Sequence, residues 1–228
     1  MSDKAIRIKD QSLVQARQAQ IVEAARRVFR EKGFHPATVR EIGDAAGMTQ
    51  GTLYNYARSK DDLLFLVLDE LVREYQEAVE AAIARETDPK KRVRATARAF
   101  TEVVAQRQDD ILLLYQEVHS LERGLRRKLL ARTHEFFEDV GRIVEQAVAE
   151  GVILTPNAYF ATQVLTFLPA MLALRRWDIR NYCQTKDVIE WIVDFVMRGL
   201  DDRTVARRAS PRRVRSRATK VARGRGAS

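Results

Sequence analysis

Apolar side chains recur at helical spacing along most of the chain, and no stretch alternates long enough to make a strand. After Ser12, read as an N-cap, Val14, Ala16, Ile21, Ala25 and Phe29 share one face; Gly33 ends that helix and Phe34 folds back onto it. His35-Pro36-Ala37 breaks the chain. Thr38 caps a second short helix bearing Val39, Ile42 and Ala46, and Glu41 completes a T-x-x-E capping box before Gly47 stops it. Thr49 caps a third helix of about two turns, and Ser59 a fourth that stays helix-compatible to Thr87-Asp88-Pro89. Further helical blocks follow over 90–106, 109–119, 121–150, 157–177 and 186–200. An all-α chain of about nine helices is expected, with no internal repeat and no Gly-rich phosphate loop.

Composition narrows the class. The 228 residues are 46% hydrophobic with only 10 Gly and 5 Pro, which fits a globular helical protein with a real core. One cysteine, Cys183, excludes an intrachain disulfide framework and fits a reducing compartment. The N-terminal MSDKAIRIKDQ lacks the apolar core of a signal peptide, and runs such as FLPAMLAL are too short to span a bilayer. A cytoplasmic protein without membrane contact is expected.

The net charge of +9 is unevenly spread. Residues 1–60 hold 11 basic and 6 acidic side chains, residues 61–202 hold 19 and 25, and residues 203–228 hold ten basic and no acidic ones. Two basic ends flank an acidic middle, which suits nucleic-acid contact near the N-terminus.

Residues 47–60, GMTQGTLYNYARSK, are too polar for core and too ordered for a linker. A helix that enters a major groove needs a polar outer face, a few apolar anchors and a preceding helix to aim it. Ile42, Ala46, Met48 and Leu53 supply a small core, while Gly47 permits the turn. Gln50, Thr52 and Asn55 are then expected to face outward, where amides can pair with adenine and the Thr methyl can meet thymine. Tyr54 and Tyr56 can reach phosphates, Lys60 adds a charge, and Gly51 removes a side chain at the point of closest approach. The competing reading is a plain helical hairpin inside a bundle.

The stretch TVREIGDAAGMTQGTLYNYARSKDDLL, preceded by VFREKGF, resembles the DNA-binding signature of the TetR family of bacterial transcriptional regulators. The resemblance covers about residues 17–65. It implies DNA contacts by Thr38, Arg40, Thr49, Gln50, Gly51, Thr52, Tyr54, Asn55, Tyr56 and Lys60. Gly43 stands where Ala is usual, and Ala57 where a bulkier apolar residue is usual; neither touches the reading face. The implied organisation is a flexible arm (1–11), a helix-turn-helix domain (12–62), a ligand-binding and dimerisation domain (63–202) and a disordered basic tail (203–228). That tail can neutralise phosphates without sequence preference, or merely solubilise the chain.

Such proteins read two half-sites of a palindromic operator as symmetric dimers. The resemblance implies a homodimer seam on the last two long helices, with Phe160, Val164, Val188, Trp191, Ile192 and Phe195 as candidates against ordinary intrachain core. It also implies a cavity for a small-molecule effector. Phe100, Tyr115, His119, His134, Phe137, Phe167 and Met171 are candidate lining residues, with plain packing as the alternative for each. Arg175, Arg176, Trp177 and Arg180 crowd one helix end, where guanidinium forks and an indole suit the phosphates and adenine of an acyl-CoA thioester. A solvated basic helix end is the bland alternative. No cofactor or metal site is expected from three His and one Cys, and no catalytic constellation stands out, so an enzyme is not expected. The functional expectation is a ligand-responsive repressor released by a lipophilic or acyl-CoA effector; the alternative is an architectural DNA-binding protein without an effector.

Overall fold

The computed structural model describes residues 2–201, with side chains from Leu13 onward. These residues form α1 (Ser2–Lys32), α2 (Val39–Ala45), α3 (Gln50–Tyr54), α4 (Lys60–Ile83), α5 (Pro89–Gln106), α6 (Gln108–Glu117) and α7 (Arg123–Ala149). They continue as α8 (Ala158–Phe167), a 3₁₀ turn (Leu168–Ala170), α9 (Met171–Leu174), α10 (Arg176–Ile179) and α11 (Thr185–Leu200), with no strand among the described residues.

The expected breaks hold from Gly33 to Asp88. Gly33 and Gly47 sit at φ 80° and 63°, the left-handed region that costs other residues energy. Thr38 and Ser59 make reciprocal capping boxes with Glu41 and Asp62, and Asp88 caps α5 directly before Pro89.

α4 is the spine. Its Leu63, Leu64, Val67, Leu68, Leu71 and Val72 are buried, and it packs against α1 on one side and α5 and α7 on the other. A stripe of every fourth residue ties it to α7. Asp61 accepts the Glu122 backbone N–H at 2.9 Å, Lys128 lies 4.9 Å from the Phe65 ring centre, and Arg132 pairs with Asp69 at 2.5 Å. The middle of the body is filled by aromatic rings. Phe100 lies 4.5 Å from Tyr75 and 5.8 Å from Phe136, centre to centre, and burial raises the Tyr75 hydroxyl well above the usual tyrosine range.

Two segments differ from expectation. α1 runs unbroken from Ser2 through Ser12, a stretch without Gly or Pro, so Ser12 is not an N-cap and residues 2–11 are helical. Val14 and Ala16 are exposed, and the core-facing stripe starts only at Ile21. The block 157–177 is not one helix: Pro169 lacks an N–H and tightens the chain into the 3₁₀ turn, and Arg175 (φ −117°, ψ 20°) separates α9 from α10. The basic tail lies outside the described residues. Among the described residues no helix is long and apolar enough to cross a membrane.

Replacing Phe136 with Ala should lower stability by about 3–5 kcal/mol, because the ring is buried and its neighbours cannot close the gap. Urea unfolding followed by circular dichroism measures this; a loss below about 1 kcal/mol would show that the site collapses freely.

Candidate nucleic-acid interface

α3 has five residues, too few to persist alone, so its position must come from packing. Leu53 is its anchor, buried with Ile42, Ala46, Met48 and Ala57. Gly43 lets the two helices meet: a Cβ built there would lie 3.2 Å from Leu53 Cδ2 and 3.6 Å from Gln50 Nε2. The small residue at 43 thus holds α3 close to α2. The Thr49 hydroxyl accepts the Thr52 N–H at 3.2 Å and sits 2.9 Å from the Thr52 hydroxyl, capping α3.

α1 fixes α2 from below. Gln20 Nε2 donates to the Ala46 carbonyl and an Arg27 guanidinium N–H to that of Ala45, both at 2.7 Å, satisfying carbonyls the short helix leaves open. Lys32 pairs with Glu41 at 2.5 Å, and that bond, with the Thr38 backbone and hydroxyl donors, lowers the Glu41 pKa.

The outward surface carries Thr38, Arg40, Thr49, Gly51, Tyr54 and Asn55, all exposed. Arg40 meets only Asp44, at 4.0 Å on an exposed face. Gly51 is the telling position, because a Cβ added there would find nothing within 4 Å. Neither backbone conformation nor intrachain space requires a glycine in this helix.

Three expected contacts sit differently. The Gln50 side chain turns inward toward Gly43, and its Nε2 is buried without a hydrogen-bond partner. A glycine at 43 opens the space that draws the amide in. Lys60 is engaged: its ammonium donates to the His35 carbonyl at 2.6 Å and lies 4.7 Å from the Phe34 ring centre. Tyr56 is half-buried, packed on the core. Arg58, unremarked in the sequence, is exposed beside the α4 N-terminus, and its backbone N–H donates to Asp62 Oδ2 at 2.9 Å.

Below this surface lies a charge cluster that sequence reasoning missed. Arg26 of α1 donates to Glu74 of α4 at 3.1 Å, and Arg107, between α5 and α6, donates to the other Glu74 oxygen at 2.7 Å. Arg26 Nε also lies 2.6 Å from Asp110 Oδ2, an ionic contact without hydrogen-bond alignment. Asp110 is only 5% exposed, and burial pushes its pKa up to about 6 against the pull of Arg26 and Arg107. One signal was available, since Arg26 falls on the Val22–Phe29 stripe of α1 where only an apolar or paired residue belongs.

The candidate effector residues are not brought together. Phe100 is sealed in the aromatic core. Tyr115 and Phe167 face each other at 6.3 Å on the surface, and His119 is exposed. His134, paired with Glu138 at 3.4 Å, and Phe137 border an α7–α8 cleft of about 320 Å³. Met171 is half-buried. Arg176 and Arg180 border a separate cleft of about 290 Å³ with Leu172, Ile179 and Cys183, but Arg176 is already held by Asp109. Arg175 and Trp177 are exposed.

The candidate seam residues divide. Val188 and Ile192 are buried in the chain's own core, on the neighbouring stripe of α11, and Val164 is half-buried. Phe160, Trp191 and Phe195 are 65%, 58% and 68% exposed, and Phe167 joins them on α8. Among the described residues no group of three or more His, Cys, Asp or Glu is placed to hold a metal ion.

Family comparison agrees with this geometry. The model of bacterial regulatory proteins of the tetR family matches residues 21–67, and that of the tetracyclin repressor-like C-terminal domain matches residues 86–200. The HTH-type transcriptional regulator HbdR of Aromatoleum sp. (strain CIB) is 31% identical over 188 residues, 80% of each chain. A tetR-family regulatory protein from Rhodococcus RHA1 superposes with a TM-score of 0.70 at 23% identity, over 81% of this chain and 96% of that one. AibR, solved with isovaleryl coenzyme A and operator DNA, shares the fold with a TM-score of 0.65 at 22% identity, over 81% and 98%. With both family models matched and the helix-turn-helix geometry in place, this chain belongs to the TetR family of bacterial transcriptional regulators.

Proposed function

We propose that the protein is a ligand-responsive repressor that binds a palindromic operator as a homodimer and is released by a small lipophilic or acyl-CoA effector. The observation that carries the DNA half is Gly51, helical and facing empty space at the centre of a polar, exposed α3. Thr49, Thr52, Tyr54 and Asn55 surround it, with hydroxyls and an amide suited to base edges and phosphates. Gln50 joins them by rotating out of its unsatisfied pocket, since a buried amide without a partner gains by finding adenine.

The dimer reading rests on α8 and α11, which pack side by side and leave Phe160, Phe167, Trp191 and Phe195 facing out. Four aromatic side chains at ~150–250 Å² each, about two-thirds exposed, would supply roughly half or more of the ~800 Å² per partner in a stable interface. For the effector, AibR's bound thioester supports an acyl-CoA. The cleft of about 290 Å³ by Leu172 and Ile179 suits a short acyl group, with Arg175, Arg180 and Trp177 left at the surface for the nucleotide. Ligand then lowers operator affinity by favouring a head spacing that no longer fits both half-sites.

Selection from a random duplex pool, followed by fluorescence anisotropy with and without short acyl-CoA thioesters, tests the reading. Enrichment of one palindrome whose affinity falls on adding the thioester is expected; sequence-blind binding would refute the regulator, and indifference to every thioester the effector.

Gly51→Val should leave the thermal midpoint within about 2 °C, because nothing in the chain is displaced, yet weaken operator binding at least tenfold. Unchanged affinity would remove α3 from the groove. Trp191→Asp combined with Phe195→Asp should yield a folded monomer in sedimentation analysis and cost roughly a hundredfold in palindrome affinity, as one head reads one half-site. A dimer that survives both charges would place the seam elsewhere.

A further inference from the structure

We propose that the start of α7 is a second DNA-contacting surface, on which Arg123 and Arg127 grip duplex phosphates beside those met by the helix-turn-helix. This surface belongs to the body rather than the head, and its partner rests on the DNA half of the function proposed above.

The register of α7 on α4 fixes where these arginines stand. The two helices run parallel: Glu122 meets Asp61, Lys128 the Phe65 ring, Arg132 Asp69 and Phe136 Tyr75. The first turns of α7 therefore lie level with the first turns of α4, beside Lys60, the last of the candidate DNA contacts. The link that precedes α7 touches the head as well, since Glu117 lies 3.3 Å from His35, three residues before Thr38. Each Cα–Cβ bond of a helix tilts toward its N-terminus, so long side chains in these turns lean toward the head. Arg58, exposed just before α4, continues the basic surface from the head side.

Charge sets this stretch apart. Residues 121–132 hold five basic side chains and one acidic, against 14 and 24 in the rest of 61–202, whose totals are 19 and 25. Three of the five are engaged within the chain: Arg126 donates to the His119 carbonyl at 3.2 Å, Lys128 lies over Phe65 and Arg132 pairs with Asp69. Arg123 and Arg127 are exposed, and among the described residues their side chains meet no carboxylate or carbonyl. The neighbouring Glu122 carboxylate instead accepts the Gly124 N–H at 3.1 Å. Another basic run of the body, 90–98, is answered from within, because Lys90, Arg94 and Arg98 pair with Asp201, Asp194 and Glu190. Both placements at 123 and 127 work against the folded chain. They stand one helical turn apart, where like charges repel, at the end of a helix whose dipole disfavours cations. A row of phosphates offsets both penalties, and a phosphate fits the fork of a guanidinium.

Salt dependence counts phosphates. Each phosphate contact on B-form DNA contributes about 0.9 to the slope of log affinity against log salt, so losing both arginines should flatten it by roughly 2 for each bound protomer. Fluorescence anisotropy of the full-length protein on the selected palindrome and on a random duplex of equal length, from about 50 to 300 mM salt, measures this. Arg123→Gln with Arg127→Gln should flatten the slope on both duplexes and bind roughly tenfold or more weakly at about 150 mM salt. Preference for the palindrome should stay within about threefold, since phosphates carry no sequence. The thermal midpoint should hold within about 2 °C, because the two side chains grip nothing in the chain. Arg123→Lys with Arg127→Lys should restore most of the slope, as a point charge suffices for a phosphate. Arg85→Gln with Lys91→Gln removes the same charge about 35 Å from the head along α4, and should move the slope by less than about 1. A slope unmoved by Arg123→Gln with Arg127→Gln, or moved equally by the distant pair, would overturn the second surface and leave the helix-turn-helix reading standing. A wild-type protein that binds neither duplex would refute both.

Discussion

The burial of Leu53 against Gly43 is the contact on which the reading surface depends. Five residues cannot hold a helix in water by their own hydrogen bonds, because nucleation costs more than one turn returns. Packing has to supply the difference. Leu53 anchors α3 from inside, the Thr49 cap satisfies its first free N–H groups, and the opposite side is left polar. Leu53→Ala therefore removes more than one side chain's burial, since the helix loses what holds it in place.

From that anchor the molecule builds outward through α4. The same helix that starts at the Ser59 cap beside the head runs between α5 and α7, so the head cannot turn without moving the body or bending the spine. The stripe of Asp61, Phe65 and Asp69 fastens α4 to α7, and Glu74 fastens it to α1 and the α5–α6 junction. Apolar packing makes these joints strong, while charges make them specific. A buried charge is costly unless paired, so a cluster of four is stable only while all four stay together.

Much of this was legible in the sequence, for local reasons. Caps and stops such as Thr38 with Glu41, Gly47, Thr49 and Asp88-Pro89 act over four residues or fewer, so their types alone carry the instruction. The exposed aromatics on α8 and α11 were partly legible as stripes too wide for one buried face, but which half faced inward depended on α5 and the 3₁₀ turn, far away in sequence. Gln50 and Lys60 sit differently from expectation for the same reason. An exposed polar residue on a helical wheel is free only if no neighbour offers a pocket or a carbonyl, and Gly43 and His35 offer both. The effector candidates were legible only as side-chain types within the middle helices, and the fold disperses them.

Everything rests on α3 lying in a major groove. Dimethyl sulfate distinguishes the grooves, attacking guanine N7 in the wide one and adenine N3 in the narrow one, so modification interference on the selected duplex reports which face the protein needs. The account predicts interference at guanine N7 in two blocks, one per half-site, spaced by whole helical turns. Interference confined to adenine N3, or spread evenly without two-fold symmetry, would contradict it.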